Sequence, residues 1–286
     1  MPVTERFTTS SGIKIEADLW GPISDRSVLL LHGGGQTRHS WDSTARRLAD
    51  IGVFAITLDL RGHGRSDWSK NSEYELSQFS EDIVFVLEEI GICPVLVGAS
   101  LGGLVGMYLE GRMRPGSISA LVLVDVVPNM NVNGAERVKD FMLKHSEVGF
   151  ASLSEVAEVL AEYNPYRKKP TDLEGLKKNL RKRGNRWFWH WDPTFISSER
   201  NEKNPDMRNT QLLNEVMSNI KVPTLLVRGK MSDLVTEDEV QEFLEKFPQS
   251  DFVDVSGAGH MVAGDKNDVF SGEVIAFLNQ IWVSNI

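Results

Sequence analysis

The chain has 286 residues, 41% hydrophobic and 25% charged, which suits one large α/β domain with an insertion, or two small domains. Its net charge of −9 argues against general nucleic-acid affinity, its single cysteine excludes an internal disulfide, and no Cys/His cluster has metal-ligand spacing. No apolar run reaches the ~18 residues of a membrane span, and Met1-Pro2-Val3-Thr4-Glu5-Arg6 lacks signal-peptide character, so a cytoplasmic protein is expected.

Ile13, Ile15, Ala17 and Leu19 alternate and predict two opening antiparallel strands over residues 5–20. Ser27-Val28-Leu29-Leu30-Leu31 predicts the first fully buried strand. It runs into His32-Gly33-Gly34-Gly35, whose glycines leave backbone N–H groups free to face a ligand. Ser40 is placed to cap a helix with Trp41, Ala45, Leu48 and Ile51 on one face. A second buried strand, from Val53 to Leu58, ends at the glycine-punctuated stretch Asp59-Leu60-Arg61-Gly62-His63-Gly64-Arg65-Ser66. Phe79, Ile83, Val86, Leu87 and Ile90 then form one helical stripe.

Cys93, just before the next strand, is expected as a small buried residue. Pro94-Val95-Leu96-Val97 reads as that strand, and Leu104, Val105, Tyr108 and Leu109 recur at helical spacing behind it. Between them Gly98-Ala99-Ser100-Leu101-Gly102 must bend sharply, with glycines where side chains would collide and a serine exposed on the turn. Leu121-Val122-Leu123-Val124 is another core strand, closing at Asp125 and Pro128. Strands alternating with helices imply a doubly wound, mostly parallel α/β sheet covered on both faces.

Residues 129–219 break this rhythm. No strand-like run is read there, and helices are expected at 135–145, 153–163, 172–182 and around 207–219. Two carry the capping pattern, Ser152 with Glu155 and Thr171 with Glu174. Trp187, Trp189 and Trp191 alternate, so an extended segment would present all three on one face, either lining a pocket or docking the block on its neighbour. Residues 166–186 carry nine Lys/Arg against two acids, which suits a solvated face or the steering of an anionic substrate. The block is expected to be a helical cap, residues 129–219, inserted into a core domain of residues 1–128 and 220–286.

Alternation resumes with the strand Val222-Pro223-Thr224-Leu225-Leu226-Val227, the turn at Gly229-Lys230-Met231-Ser232-Asp233, and a helix capped by Thr236 and Glu239. Phe252-Val253-Asp254-Val255 leads into Gly257-Ala258-Gly259-His260. A final helix is expected to bury Val269, Phe270, Ile275, Phe277, Leu278 and Ile281.

Attack by a serine needs a base, a group to orient that base, and donors for the developing oxyanion. Ser100, Asp233 and His260 each follow a strand end, which on a parallel sheet gathers them at the carboxyl edge. The expected oxyanion donors are the N–H of Leu101 and that of Gly34, with Gly35 second. Gly35, Trp187, Trp189 and Trp191 are also candidates to line the substrate pocket.

The chain resembles capped enzymes of the α/β-hydrolase fold, in the branch of esterases, cofactor-free peroxidases and epoxide hydrolases. The resemblance rests on His32-Gly33-Gly34-Gly35, Asp59-Leu60-Arg61-Gly62-His63-Gly64, Gly98-Ala99-Ser100-Leu101-Gly102-Gly103, Arg228-Gly229 with Ser232-Asp233, and Gly257-Ala258-Gly259-His260. Epoxide hydrolases of this fold attack with an aspartate where Ser100 stands, so the resemblance implies acyl transfer to serine, with no metal or organic cofactor. Some members place the triad acid at the end of the preceding strand, which keeps Asp125 as the alternative to Asp233. The expected function is a carboxylesterase acting on a small to medium apolar ester. The alternatives are a lactonase or cofactor-free perhydrolase using the same triad, and a ligand-sensing receptor with little turnover. The expected partner is the small-molecule ester or lactone alone, with no nucleic acid or membrane, and the chain a monomer or homodimer.

Overall fold

Short runs of aliphatic residues, buried on both faces, form the spine of the molecule. The computed structural model describes residues 1–163, 173–197, 205–260 and 267–284. Two opening strands, β1 (Val3–Thr8) and β2 (Lys14–Trp20), pair antiparallel. The spine itself comprises β3 (Ser27–Leu31), β4 (Phe54–Leu58), β5 (Val95–Ala99) and β6 (Ala120–Val124). Two short cap strands, β7 (Leu180–Arg183) and β8 (Arg186–Trp189), come before β9 (Thr224–Gly229) and β10 (Asp251–Val255). The eight-stranded sheet has the order β1-β2-β4-β3-β5-β6-β9-β10 and is parallel from β4 onward.

Alternation along each strand divides the core into two layers. Leu29, Leu31, Leu121 and Leu123 face helix α2 (Leu76–Ile90) and helix α3 (Leu101–Tyr108), meeting Phe79, Ile83, Val86 and Val105. Val28, Leu30, Val122 and Val124 face helix α1 (Asp42–Asp50) and the C-terminal helix Asn267–Ser284, meeting Ala45, Leu48, Phe270 and Val274. The sheet is thus covered on both sides, as a parallel sheet requires. Register decides what reaches its upper edge. Ala99 pairs with Val124 and Val124 with Val227, so Ser100 and Asp125 emerge side by side.

Between β6 and β9 lie helix α4 (Val132–Leu143), helix α5 (Leu153–Tyr163), a 3-10 helix at Glu174–Asn179, and the β7–β8 hairpin. The helix expected at 172–182 is reduced to a short 3-10 helix at Glu174–Asn179 and gives way to β7 at Leu180. Gly184, at φ 58°, and Asn185 make a two-residue hairpin turn, and the aromatic run after it favours a strand. Thr171, expected as a cap, lies outside the described residues. The helix Thr210–Asn219, grouped with the cap on sequence, packs on the core instead. A Cβ on Gly111, just beyond α3, would sit 2.1 Å from Val216 O. Cys93 is exposed rather than buried, since the strand begins only at Val95. Among the described residues no helix is long and apolar enough to cross a membrane.

Candidate active site

β5 turns into α3 within one residue. Ser100 occupies φ 46° and ψ −111°, a backbone state that costs about 1–3 kcal/mol and must be held by its surroundings. The glycines explain how the turn is held. A Cβ on Gly98 would lie 2.4 Å from the Gly102 backbone, and one on Gly102 would lie 2.5 Å from Leu31 O. Ser100 N donates to Val124 O at 3.0 Å, and Ser100 O accepts from Gly103 and Leu104 N–H, so the main chain is satisfied while the half-buried side chain is not engaged in the turn.

The acid is where structure and sequence reading part. His260 Nδ1 lies 2.7 Å from Oδ2 of Asp125, not from Asp233. Asp125 follows β6 at φ 53° and is fully buried. It also accepts from Ser232 Oγ at 2.6 Å and from Gly229 N at 3.3 Å. Burial pushes its carboxyl upward, and the hydrogen bonds from His260, Ser232 and Gly229 pull the other way. The turn after β9 explains the exchange. Ser232 N closes onto Gly229 O at 2.8 Å, which aims the serine hydroxyl at Asp125 and leaves the next side chain outside. Asp233 instead meets Arg137 of α4 in a bidentate pair, with Arg137 Nη2 at 2.7 Å from Oδ1. Partial burial raises the Asp233 carboxyl, but the Arg137 guanidinium outweighs it and holds the group below its ordinary value.

The glycine loop after β3 lies against the serine: a Cβ on Gly33 would stand 3.4 Å from Ser100 Cβ. His32 props this loop. Its Nε2 accepts Leu60 N–H at 3.0 Å, which assigns the proton to Nδ1 for donation to Gly33 O at 2.8 Å. Burial lowers its pKa to about 4, so the ring is a neutral strut rather than a base. Among the described residues no acceptor takes the N–H of Gly34 or of Leu101.

A roof from the cap lies over this loop. A Cβ on Gly34 would come 3.5 Å from Met142 Sδ and 3.7 Å from Phe195, and one on Gly35 would come 3.4 Å from Trp191. Trp191 stacks on Trp189 at 4.7 Å, and Trp189 donates to Lys144 O at 2.8 Å. Trp187 lies apart, half-buried beneath Lys177 and Lys182. The three tryptophans therefore do not share one role. Met142 and Phe195 carried no sequence signal, and neither did His190, whose Nδ1 accepts Gly64 N–H at 2.7 Å while Nε2 reaches Gly35 O at 3.2 Å. Among the described residues, Asp18, His39 and Asp42 are the group that could hold a metal ion, but Arg38 already binds Asp18 at 2.8 Å, and none of the three lies in this site.

A parallel sheet presenting serine, histidine and a buried carboxylate at its carboxyl edge defines a hydrolase of the α/β class. The chain belongs to the alpha/beta hydrolase fold family, which it matches over residues 26–266. It is 30% identical over 273 residues to an esterase of Mycobacterium tuberculosis, covering 93% of this chain and 86% of that protein. A crystal structure of the M. tuberculosis esterase superposes with a TM-score of 0.73 at 29% identity, covering 98% and 92% of the two chains. A 3-hydroxybutyrate-oligomer hydrolase of Cupriavidus necator is 27% identical over 251 residues, 84% of this chain and 85% of that one. An E-2-(acetamidomethylene)succinate hydrolase superposes with a TM-score of 0.85 over 98% and 100% of the two chains; at 20% identity this likeness concerns the fold.

Proposed function

We propose that the protein is a serine-dependent carboxylic ester hydrolase, turning over small to medium apolar esters through an acyl-enzyme without metal or organic cofactor. The observation that carries this reading is the hydrogen bond from His260 to buried Asp125, beside the strained serine. Ser100 attacks the ester carbonyl while His260 Nε2 takes its proton. Asp125, in the role expected of Asp233, holds the Nδ1 proton and so keeps Nε2 free to accept. The N–H groups of Leu101 and Gly34 receive the tetrahedral oxyanion. The imidazolium then protonates the departing alcohol, and water repeats the cycle on the acyl-enzyme. Met142, Trp191 and Phe195 give the acyl chain an apolar wall, and the esterase among the relatives supports an ester as the substrate.

The test is covalent. A fluorophosphonate should label Ser100 alone, and Ser100→Ala should lower kcat by roughly 10³-fold or more while the fold survives. Label on another residue, or an alanine variant retaining most activity, would sink the proposal. Repeated turnover of a p-nitrophenyl ester separates an enzyme from a receptor of the same fold, which would stop near one cycle.

A further inference from the structure

Outside the site just described, a cleft of about 720 Å³ lies at the seam between the β7 side of the cap and the Asp59–Trp68 loop of the core. None of Ser100, Leu101, Asp125 or His260 lines it. It backs onto the oxyanion loop instead, through Thr37 and His190.

Its charge is the unusual feature. Several of its cations are already neutralised: Arg38 by Asp18 and Asp59, Lys177 by Glu174, Lys178 by Asp42. Of the two carboxylates in the lining, Asp59 is ion-paired and Asp67 is hydrogen-bonded through one oxygen. Asp59 accepts from Arg38 and from the N–H groups of residues 38 and 65, and Asp67 accepts Lys14 N–H. Arg65, Arg181 and Lys182 are left, and among the described residues no carboxylate pairs with any of them. Arg181 is half-buried, donates to Gly64 O at 2.9 Å and lies over the Trp68 ring at 4.6 Å, with Arg183 on the same ring at 5.2 Å. Burial, followed by repulsion from Arg183 and Arg65, disfavours its charge.

A solvated basic face would spread such charges apart. Here half-buried Arg181 and exposed Arg65 and Lys182 line one concavity of small-ligand size, in a chain of net charge −9. We infer that this cleft is a binding site, separate from the catalytic serine, for a small multiply charged anion of the di- or triphosphate type. Three cationic side chains without carboxylate partners of their own match several negative oxygens held close together. An acidic remainder of the molecule would repel an extended polyanion, which favours a compact ligand over nucleic acid.

The inference does not depend on the esterase reading, because it is tested by binding. Sodium tripolyphosphate titrated calorimetrically into the full wild-type chain at low ionic strength should bind with submillimolar affinity and weaken as salt rises. Arg65→Gln with Lys182→Gln should weaken binding about tenfold or more, two charge-assisted contacts being lost, at an unchanged melting temperature. Arg112→Gln with Arg114→Gln, on another surface, should retain it. No binding in the millimolar range would overturn the inference, as would equal weakening by both pairs. So would competition of tripolyphosphate with a neutral ester at matching concentrations, which would place the anion in the catalytic pocket. Binding of an oligonucleotide through Arg65 and Lys182, with none of tripolyphosphate, would refute the compact ligand.

Discussion

The sharpest test of the site compares two aspartates. In Asp125→Asn the side chain keeps one carbonyl oxygen where the carboxylate accepts from His260, Ser232 and Gly229. If that oxygen stays with Gly229 N, the new amide NH₂ faces His260 Nδ1 at about the present 2.7 Å. The ring must then surrender its Nδ1 proton and carry it on Nε2, where it can no longer receive the serine proton. The same exchange in a serine-protease triad lowers kcat by about 10⁴-fold, and a loss of that order is expected here. Asp233→Asn should behave differently. Its partner Arg137 and the carboxylate are 42% and 46% exposed, so the pair contributes at most about 1 kcal/mol, or roughly fivefold in any equilibrium it governs. Steady-state kcat on p-nitrophenyl butyrate, with melting curves to confirm folding, decides the matter. If Asp233→Asn abolishes turnover and Asp125→Asn is mild, the catalytic carboxylate has been assigned to the wrong strand.

Two further predictions concern the cap and pH. Trp191→Ala should change the preference among p-nitrophenyl esters of different chain length, since each methylene against an apolar wall discriminates by about 1–3 kcal/mol; Trp187→Ala should leave it unaltered, and equal scaling of every ester by Trp191→Ala would refute the wall. Burial lowers His32 to about 4 and His63 to about 3, so both stay neutral in the folded chain while the unfolded chain binds protons from the ordinary value of 6.5. Their stabilisation is complete above pH 6.5 and is lost as pH falls toward 4, at about 1.4 kcal/mol per unit for each ring. Melting temperatures flat from pH 7 to pH 5 would contradict it.

What the sequence disclosed follows the range of its signals. Buried strands announce themselves locally, so β3 to β6 and β9 were readable, and the glycine pair around Ser100 forced the bend whatever the rest of the chain did. His260 was readable because it ends a strand in a glycine-rich turn. The carboxylate partner of His260 was not, because Asp125 and Asp233 both follow strand ends and periodicity says nothing of what happens one residue later. The decision rests on Arg137, distant in sequence, and on the turn that aims Ser232 at Asp125 and leaves Asp233 outside. The cap failed for a related reason. Leu180-Arg181-Lys182-Arg183 has no apolar alternation of its own, and becomes a strand only by pairing with Arg186–Trp189. Trp191 lies past the end of that strand, so period-two reasoning did not extend to it.

Asp233, paired with Arg137 rather than with His260, belongs to one of two unequal sets of ties between the cap and the core. At one, His190 and Asp192 enter the core. Tyr74 donates to Asp192 at 2.6 Å, Asp192 N to Gly62 O at 2.8 Å, and His190 links Gly64 to the oxyanion loop. These groups are buried, so parting them strands polar atoms away from water at about 1–3 kcal/mol each. At the other, α4 is held by the bonds of its N-cap residue Asn131 to Leu234 O at 2.9 Å and Glu239 at 3.2 Å, and by the exposed Arg137–Asp233 pair, worth a kilocalorie at most and screened by salt. If ester access requires the cap to part from the core, the α4 side parts first and the oxyanion loop keeps its shape throughout. Arg137→Ala should therefore raise amide exchange in α4 by up to about fivefold and leave the hairpin from Leu180 to Trp189 unchanged. Exchange that rises first in the hairpin, or equally across the cap, would place the hinge at the wrong end.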